Sequence, residues 1–157
     1  MPDPLVITLR IPGHPRPKGR PRFSTKTGHT YTPKKTAQEE AVIRQMAAAV
    51  MERESIEGLW EGPVHIKIVA GVQKPQDWWG GREPTGTNHG DWDNIGKLVT
   101  DALQGIVFKN DAQIISAVVV KRYADLPNMI VQITLMRAVL KPKKEKKRKI
   151  DGDDVIC

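Results

Sequence analysis

The chain has 157 residues, which is enough for one domain with its own hydrophobic core. Its single cysteine, Cys157, excludes an internal disulfide framework and a cysteine-rich zinc site, so we expect a cytoplasmic setting. No run of about 18 apolar residues is present, and we expect neither membrane insertion nor export. The formal net charge of +7 favours a polyanionic partner.

Positive charge is concentrated in two segments of the chain. Residues 12–35 are rich in Lys and Arg and contain no acidic residue, and residues 141–149 contain seven Lys or Arg and one Glu. A stretch as strongly charged as the second segment does not bury enough apolar surface to fold. We therefore predict one folded domain over residues 1–137 and a charged, disordered tail over residues 138–157.

The N-terminal half begins with a predicted strand. Residues 5–11 alternate apolar and polar side chains, the period of a half-buried strand. Residues 12–35 contain too many prolines and glycines for regular structure, and we predict a loop that becomes ordered on binding. Thr36 followed by Glu39 matches a capping box, which predicts a helix over residues 37–54.

The following elements complete the predicted fold. Residues 64–70 alternate as a second strand, and a long Gly- and Pro-rich loop follows over residues 71–90. Apolar residues then recur at helical spacing, which predicts a second helix ending near Gly105; they are Ile95, Leu98, Val99, Ala102 and Leu103. Residues 114–123 and 129–136 read as two strands of a closing antiparallel hairpin. The order β-α-β-α-β-β predicts a single α+β domain with helices packed on a mixed sheet.

Three aspartates lie where the predicted elements could bring them together. Asp91 and Asp93 flank the start of the second helix, and Asp111 precedes the next strand. Converging carboxylates repel one another unless a divalent cation neutralises them, and Mg²⁺ or Mn²⁺ prefers such an all-oxygen site. Aspartate is also a common helix cap, favoured there by the helix dipole. Spacing alone therefore leaves a metal site and a helix cap as open alternatives.

Lys97 lies one turn after Asp93 on the polar face of the second helix. It could form an ion pair with Asp93 or Asp101, four residues away on either side, or it could offset negative charge on a phosphate during attack by water. Asp101 lies about 12 Å from Asp93 along the helix axis, too far to share one ion. We leave Asp101 out of the predicted metal site.

The basic loop combines cationic and aromatic side chains. Its composition suits phosphate contacts and base stacking, although a solvated basic loop would look similar. The cations that we predict to bind nucleic acid are Lys18, Arg20, Arg22, Lys34 and Lys35, and the aromatic residues between them are Phe23 and Tyr31.

Four motifs together resemble the RusA family of Holliday junction resolvases. They are PKGRPR at residues 17–22, GDWDNIGK at residues 90–97, DALQG at residues 101–105 and NDAQI at residues 110–114. Their order and spacing are similar to those of the family, and the resemblance covers roughly residues 7–136. It implies a RusA-like fold and, for some members, a phage or prophage origin.

The resemblance also implies an activity and a set of site residues. It implies a homodimeric, Mg²⁺-dependent endonuclease that makes paired nicks in four-way DNA junctions during recombination and repair. Asp91, Asp93 and Asp111 would be its acidic catalytic and metal-binding residues, and Lys97 its catalytic lysine. A flap- or fork-specific nuclease and a non-catalytic branched-DNA-binding protein are the alternatives.

Two positions depart from the pattern of the family. Asn110 stands where the family often has a first aspartate, so Asp111 alone would supply the third carboxylate. Gly90 stands before Asp91, where many members have proline.

Overall fold

A computed structural model describes residues 3–137 of the chain. The predicted tail, residues 138–157 with its basic run, lies outside the described residues, so the division into domain and tail stays a prediction. Neither of the two longer helices within residues 3–137 has the length and hydrophobicity that a membrane crossing requires.

The structure is α+β, as predicted. Its larger elements follow the order β-α-β-α-β-β, with a two-stranded ribbon added inside the basic loop. In chain order the elements are β1 (Leu5–Pro12), β2 (Arg22–Phe23), β3 (Thr30–Tyr31), α1 (Lys34–Arg53), β4 (Val64–Gln73), α2 (Trp92–Leu103), β5 (Ile114–Ala124) and β6 (Asn128–Leu135). Short 3₁₀ turns occupy Thr87–His89 and Asp111–Gln113.

Four strands form one mixed sheet in the order β1-β6-β4-β5. Strand β6 runs antiparallel to β1 and β4, whereas β5 runs parallel to β4. The predicted hairpin between the last two strands is therefore wrong, because β4 lies between them. Helix α2 lies in the connection from β4 to β5, and parallel neighbours need a crossover of this kind.

The connection between β5 and β6 passes the end of β4. Four Cα steps separate Ala124 from Asn128 and reach about 13 Å, whereas two strand spacings need about 10 Å. Gln73 Nε2 donates a hydrogen bond to Asp125 O at 2.9 Å, and Lys74 N donates one to Ala124 O at 3.1 Å. These contacts fix the short connection over β4, so its turn-like sequence does not form a hairpin.

The hydrophobic core lies between one face of the sheet and the two helices. All five residues of the predicted α2 stripe are buried, which confirms that prediction. Alternate residues of β1, β4 and β6 supply the opposite side of the core. Helix α2 packs closely on β5, since a Cβ at Gly96 would lie 3.3 Å from Val119 Cγ2. The core thus fixes the helix that carries the candidate site against the sheet.

Helix α1 begins at Lys34, earlier than predicted, and Pro33 occupies its cap position without a side-chain cap. The predicted capping box is wrong because both of its side chains have other partners. Thr36 is buried, and its Oγ1 accepts a hydrogen bond from Gly19 N at 3.1 Å. Glu39 forms an ion pair with Arg16 at 3.2 Å. Contacts with the basic loop therefore replace the local cap and dock this part of the loop on α1.

Candidate active site

Asp91 and Asp93 lie at the N-terminus of α2. Asp91 occupies the cap position with extended backbone, φ −80° and ψ 144°, but its side chain makes no capping hydrogen bond. Asp93 lies in the first turn, where its Oδ1 accepts a hydrogen bond from Asn94 N at 2.9 Å. Capping therefore does not occupy the Asp91 carboxylate, although Asp91 has the position of a cap.

The segment around Asp91, residues 90–94, is held from two sides. Lys121 Nζ on β5 donates a hydrogen bond to Gly90 O at 2.9 Å. From the basic loop, Lys18 N donates one to Asn94 O at 2.9 Å. A Cβ at Gly90 would lie 2.8 Å from Pro17 Cγ. The motif at residues 17–22 and the motif at residues 90–97 are therefore in direct contact.

Backbone geometry explains why Gly90 departs from the family pattern. Its φ of +77° and ψ of 159° lie in a region that is essentially restricted to glycine. Proline is fixed near φ −65° and could not adopt this conformation. The chain therefore reaches Asp91 by a path that requires glycine at this position.

Asp111 begins a 3₁₀ turn whose backbone is fixed by its neighbours. Asn110 Oδ1 accepts a hydrogen bond from Ala112 N at 2.8 Å and so caps the turn. Gln113 Oε1 accepts from the amides of Lys109 and Asn110, both at 3.0 Å. An amide oxygen can accept this capping hydrogen bond as a carboxylate does. Asn110 therefore has a structural function in this chain.

Gln113 also attaches the turn to the segment before β4. Its Nε2 donates hydrogen bonds to Trp60 O at 2.7 Å and to Gly62 O at 3.1 Å. All the usual hydrogen-bonding positions of the side-chain amide are therefore occupied. The position of Asp111 depends on this anchor because Asp111 lies in the same turn.

Lys97 connects α2 with the Asp111 turn. Its Nζ lies 2.8 Å from Asp101 Oδ1 and 3.8 Å from Asp111 Oδ2. Of the two ion pairs considered from sequence, the structure forms the one with Asp101. The side chains of Lys97 and Asp111 are about half exposed, so a nucleic acid could reach both of them.

The donor set suits a hard divalent cation, because Asp91, Asp93 and Asp111 offer only carboxylate oxygens. Within residues 3–137 no group of three or more His, Cys, Asp or Glu side chains stands close enough together to hold a metal ion. The three aspartates fit Mg²⁺ by the chemistry of their oxygen donors. Lys97 on α2 contacts Asp111, and Asp91 and Asp93 lie at the start of the same helix.

Four of the five cations predicted to bind nucleic acid lie at or beside one cleft, and the fifth, Lys18, has a different environment. Arg20, Arg22 and Lys35 line a cleft of about 370 Å³ between the basic loop and α1, and Lys34 begins that helix. Phe23 and Tyr31 lie exposed in the neighbouring ribbon.

Lys18 has a different environment from the other cations of the loop. Its Nζ donates a hydrogen bond to Asp101 Oδ2 and lies 3.2 Å from Glu40 Oε1. Burial alone would lower the pKa of Lys18, but the two carboxylates outweigh burial and raise that pKa above its ordinary value. Its role as a nucleic-acid contact stays a prediction.

Three residues that organise the site were not predicted to do so from sequence. Gln113 lies in the motif at residues 110–114, so its position was marked although its anchoring role was not. Lys121 lies in a β-branched strand without any distinguishing pattern. Asp101 was excluded as a metal ligand by distance, and its second partner, Lys18, is 83 residues away in the chain.

The fold and the site together define a class of protein. Two aspartates lie at the start of α2, Lys97 follows one turn later, and the basic loop with its cationic cleft contacts the start of that helix. This combination suits metal-assisted cutting of a nucleic acid. The family model described as "Endodeoxyribonuclease RusA" matches residues 12–134. The chain therefore belongs to the RusA endodeoxyribonuclease family, whose activity is that of a Holliday junction resolvase nuclease.

A relative in Bacillus subtilis (strain 168) is also similar to this chain. It is described as "Uncharacterized protein YqaN" and is 28% identical over 138 residues. The similarity covers 81% of this chain and 94% of that protein, so it includes most of both sequences.

Proposed function

We propose that this protein is a Mg²⁺-dependent, structure-selective endodeoxyribonuclease that resolves Holliday junctions by paired phosphodiester hydrolysis in DNA recombination and repair. The contact between Lys97 Nζ and Asp111 Oδ2, at 3.8 Å, is the observation that carries the proposal. It joins the catalytic lysine and the third carboxylate, which are 14 positions apart in the chain, next to the helix that Asp91 and Asp93 begin. A cytoplasmic location, expected from the cysteine content, is part of the proposal.

The aspartates and the lysine of the site have different roles in the proposal. Asp91, Asp93 and Asp111 would hold Mg²⁺, for which Mn²⁺ could substitute. When bound, the ion lowers the pKa of water and offsets charge on a phosphoryl oxygen. Lys97 would place its ammonium against the scissile phosphate, where negative charge builds up during attack by water. The Lys97 side chain is about half exposed, so a phosphate could approach its ammonium from solvent.

The basic loop and the start of α1 would bind the DNA backbone. Arg20, Arg22, Lys34 and Lys35 would contact phosphates, and binding would therefore weaken steeply with salt. The exposed aromatic residues of the ribbon could stack on bases at the branch point, where stacking between neighbouring base pairs is interrupted. The loop and the site are in contact through Pro17 and Gly90, so a strand bound in the cleft would lie near the segment that carries Asp91.

Paired nicks require two catalytic centres, and we propose a homodimer for this reason. Among residues 3–137, no strand pairs with the outer edge of β5. This 11-residue strand exposes Ile115, Val118 and Val120. A long apolar edge of this kind can pair antiparallel with its own copy about a twofold axis. Light scattering after gel filtration tests it: a dimeric mass is expected, and a monomer at micromolar concentration would contradict it.

The test of the proposed function compares DNA substrates of different shape. Labelled four-way junctions, forks, flaps and linear duplexes of identical arm sequence are incubated with the full chain in Mg²⁺, in Mn²⁺ and in EDTA. We expect symmetrical paired nicks in the junction, faster cutting of the junction than of any other substrate, and none in EDTA. Faster cutting of flaps or forks would indicate a flap- or fork-specific nuclease. Junction binding without cutting in either metal would indicate a non-catalytic binding protein.

A further inference from the structure

Asp101 connects the catalytic lysine with the basic loop. Its Oδ1 lies 2.8 Å from Lys97 Nζ, and its Oδ2 accepts a hydrogen bond from Lys18 Nζ. The Asp101 side chain is only 20% exposed, whereas that of Lys97 is 54% exposed. An enclosed carboxylate therefore contacts the ammonium of a more exposed cation, and each of its two oxygens has a different lysine as partner.

The ion pairs continue on both sides of Asp101. On one side, Lys18 Nζ lies 3.2 Å from Glu40 Oε1 on α1, and that oxygen is enclosed without an aligned hydrogen-bond donor. On the other side, Lys97 Nζ lies 3.8 Å from Asp111 Oδ2. The five charges alternate in sign from α1 through the loop and α2 to the 3₁₀ turn. Each charge is stabilised by its neighbours and restricts where they can lie.

Burial and charge oppose each other at Asp101. Burial alone would raise the pKa of Asp101, but hydrogen bonds and charge contacts with Lys18 and Lys97 outweigh burial, and the pKa lies below its ordinary value. The carboxylate is therefore ionised at neutral pH and remains available to both lysines. Its backbone carbonyl also accepts a hydrogen bond from Arg44 Nη2 at 3.4 Å, which connects this turn of α2 with α1.

A role in joining the two helices does not by itself explain this arrangement. The bridge between α1 and the α2 carboxylate is complete with Glu40, Lys18 and one oxygen of Asp101. The second oxygen is directed to Lys97, which contributes nothing to that bridge. Its effect is to restrain a long, half-exposed side chain so that the ammonium stays near Asp111.

We propose that Asp101 is a positioning residue, which holds the Lys97 ammonium next to Asp111 and, through Lys18, fixes the basic loop relative to the site. The inference rests on the proposed function, because it gives Lys97 a role at the scissile phosphate. Reactions on a bound phosphate are sensitive to displacements of a catalytic group by about 1 Å. Asp101 therefore acts on the rate through Lys97 and does not touch the DNA itself.

The test separates the rate of cutting from binding and folding. Asp101→Asn keeps the size of the side chain but removes its charge, and Asp101→Glu keeps the charge. With a four-way junction in Mg²⁺, we expect kcat of Asp101→Asn to fall about tenfold or more. Its junction affinity in EDTA should fall by a smaller factor than kcat does, because Asp101 does not touch the DNA. Asp101→Glu should recover part of kcat, because it restores a carboxylate to Lys97; a loss of kcat in Asp101→Asn without a matching loss of stability is what a role in helix packing alone would not explain.

Three controls make each outcome decisive. Circular dichroism melting sets an assay temperature at which every variant is folded, and Asp77→Asn removes an exposed aspartate of the Asp77–Arg82 pair as a matched control. Lys18→Met should lower kcat and also weaken junction binding; if both stay at wild-type values, the link to the loop is wrong. If Asp93→Asn does not cut and Asp101→Asn cuts at the wild-type rate, the inference about Asp101 is wrong but the proposed function stands. If Asp93→Asn itself cuts at the wild-type rate, the proposed function is wrong.

Discussion

Replacing Gly90 with alanine tests whether the basic loop and the carboxylate motif are in contact as described. The backbone there has φ +77° and ψ 159°, and an alanine held in that region costs about 1–3 kcal/mol. The added methyl group would lie 2.8–3.0 Å from three ring carbons of Pro17. An overlap of this kind adds about 1–3 kcal/mol. Gly90→Ala should therefore lower the free energy of unfolding by about 2–6 kcal/mol.

Two comparisons separate backbone strain from the contact with Pro17. Gly105 also has a positive φ, +82°, but a Cβ there meets nothing within 4 Å, so Gly105→Ala should cost only about 1–2 kcal/mol. Pro17→Gly removes the three ring carbons. In the Pro17→Gly background, Gly90→Ala should lower the free energy of unfolding by about 1–3 kcal/mol less than it does in wild type. A difference of this size is the coupling expected for two groups in contact.

Urea denaturation gives the unfolding free energies, and cutting of a four-way junction gives the functional effect. Gly90→Ala should also lower kcat at a temperature where it is folded, because the Gly90 carbonyl and Asp91 move together with this segment. The reasoning is refuted if Gly90→Ala is no less stable than Gly105→Ala, or if the Pro17→Gly background leaves its effect unchanged.

Three further predictions address the turn, the cleft and acid stability. Gln113→Leu should lower the free energy of unfolding by about 2–4 kcal/mol, because four hydrogen bonds are lost; a loss below about 1 kcal/mol in urea would contradict the anchor. Arg20→Ala with Arg22→Ala should reduce the slope of log affinity against log salt by about 0.9 per lost phosphate contact, measured by fluorescence anisotropy with a junction; an unchanged slope would exclude these contacts. Because the pKa of Asp101 is lowered on folding, its stabilising contribution is present above its unfolded pKa, about 4, and is lost as pH falls through the folded pKa. The stability advantage of wild type over Asp101→Asn should therefore shrink as the pH falls below about 5, and a constant difference would argue against this ion pair.

Local sequence periodicity was sufficient to predict helix α2 and its buried stripe. Apolar residues at three- and four-residue spacing must share one face of a helix, whatever surrounds it. The same reasoning placed Asp93, Lys97 and Asp101 on the opposite, polar face. It could not choose between Asp93 and Asp101 as the partner of Lys97, because both are four residues away. That choice depends on Lys18, which arrives from a distant segment and holds Asp101 in place.

The predictions that were wrong came from local signals that long-range contacts override. The sequence between β5 and β6 suits a tight turn, and only the pairing of both strands with β4 reveals that they are not neighbours. The capping signature of Thr36 was overridden because the amide of Gly19 uses its hydroxyl. In both places a local preference of about 1 kcal/mol is outweighed by tertiary contacts.

Removing each carboxylate of the site in turn tests the central claim most directly. Asp91→Asn, Asp93→Asn and Asp111→Asn are compared with wild type and with Asp125→Asn, an exposed aspartate paired with Lys74. The measurement is the rate of four-way junction cutting in Mg²⁺, with junction binding in EDTA measured alongside. We predict that the three site variants bind as wild type does but cut at least about 100-fold more slowly, while Asp125→Asn cuts normally. Cutting at the wild-type rate by the three site variants would contradict a carboxylate-based nuclease site.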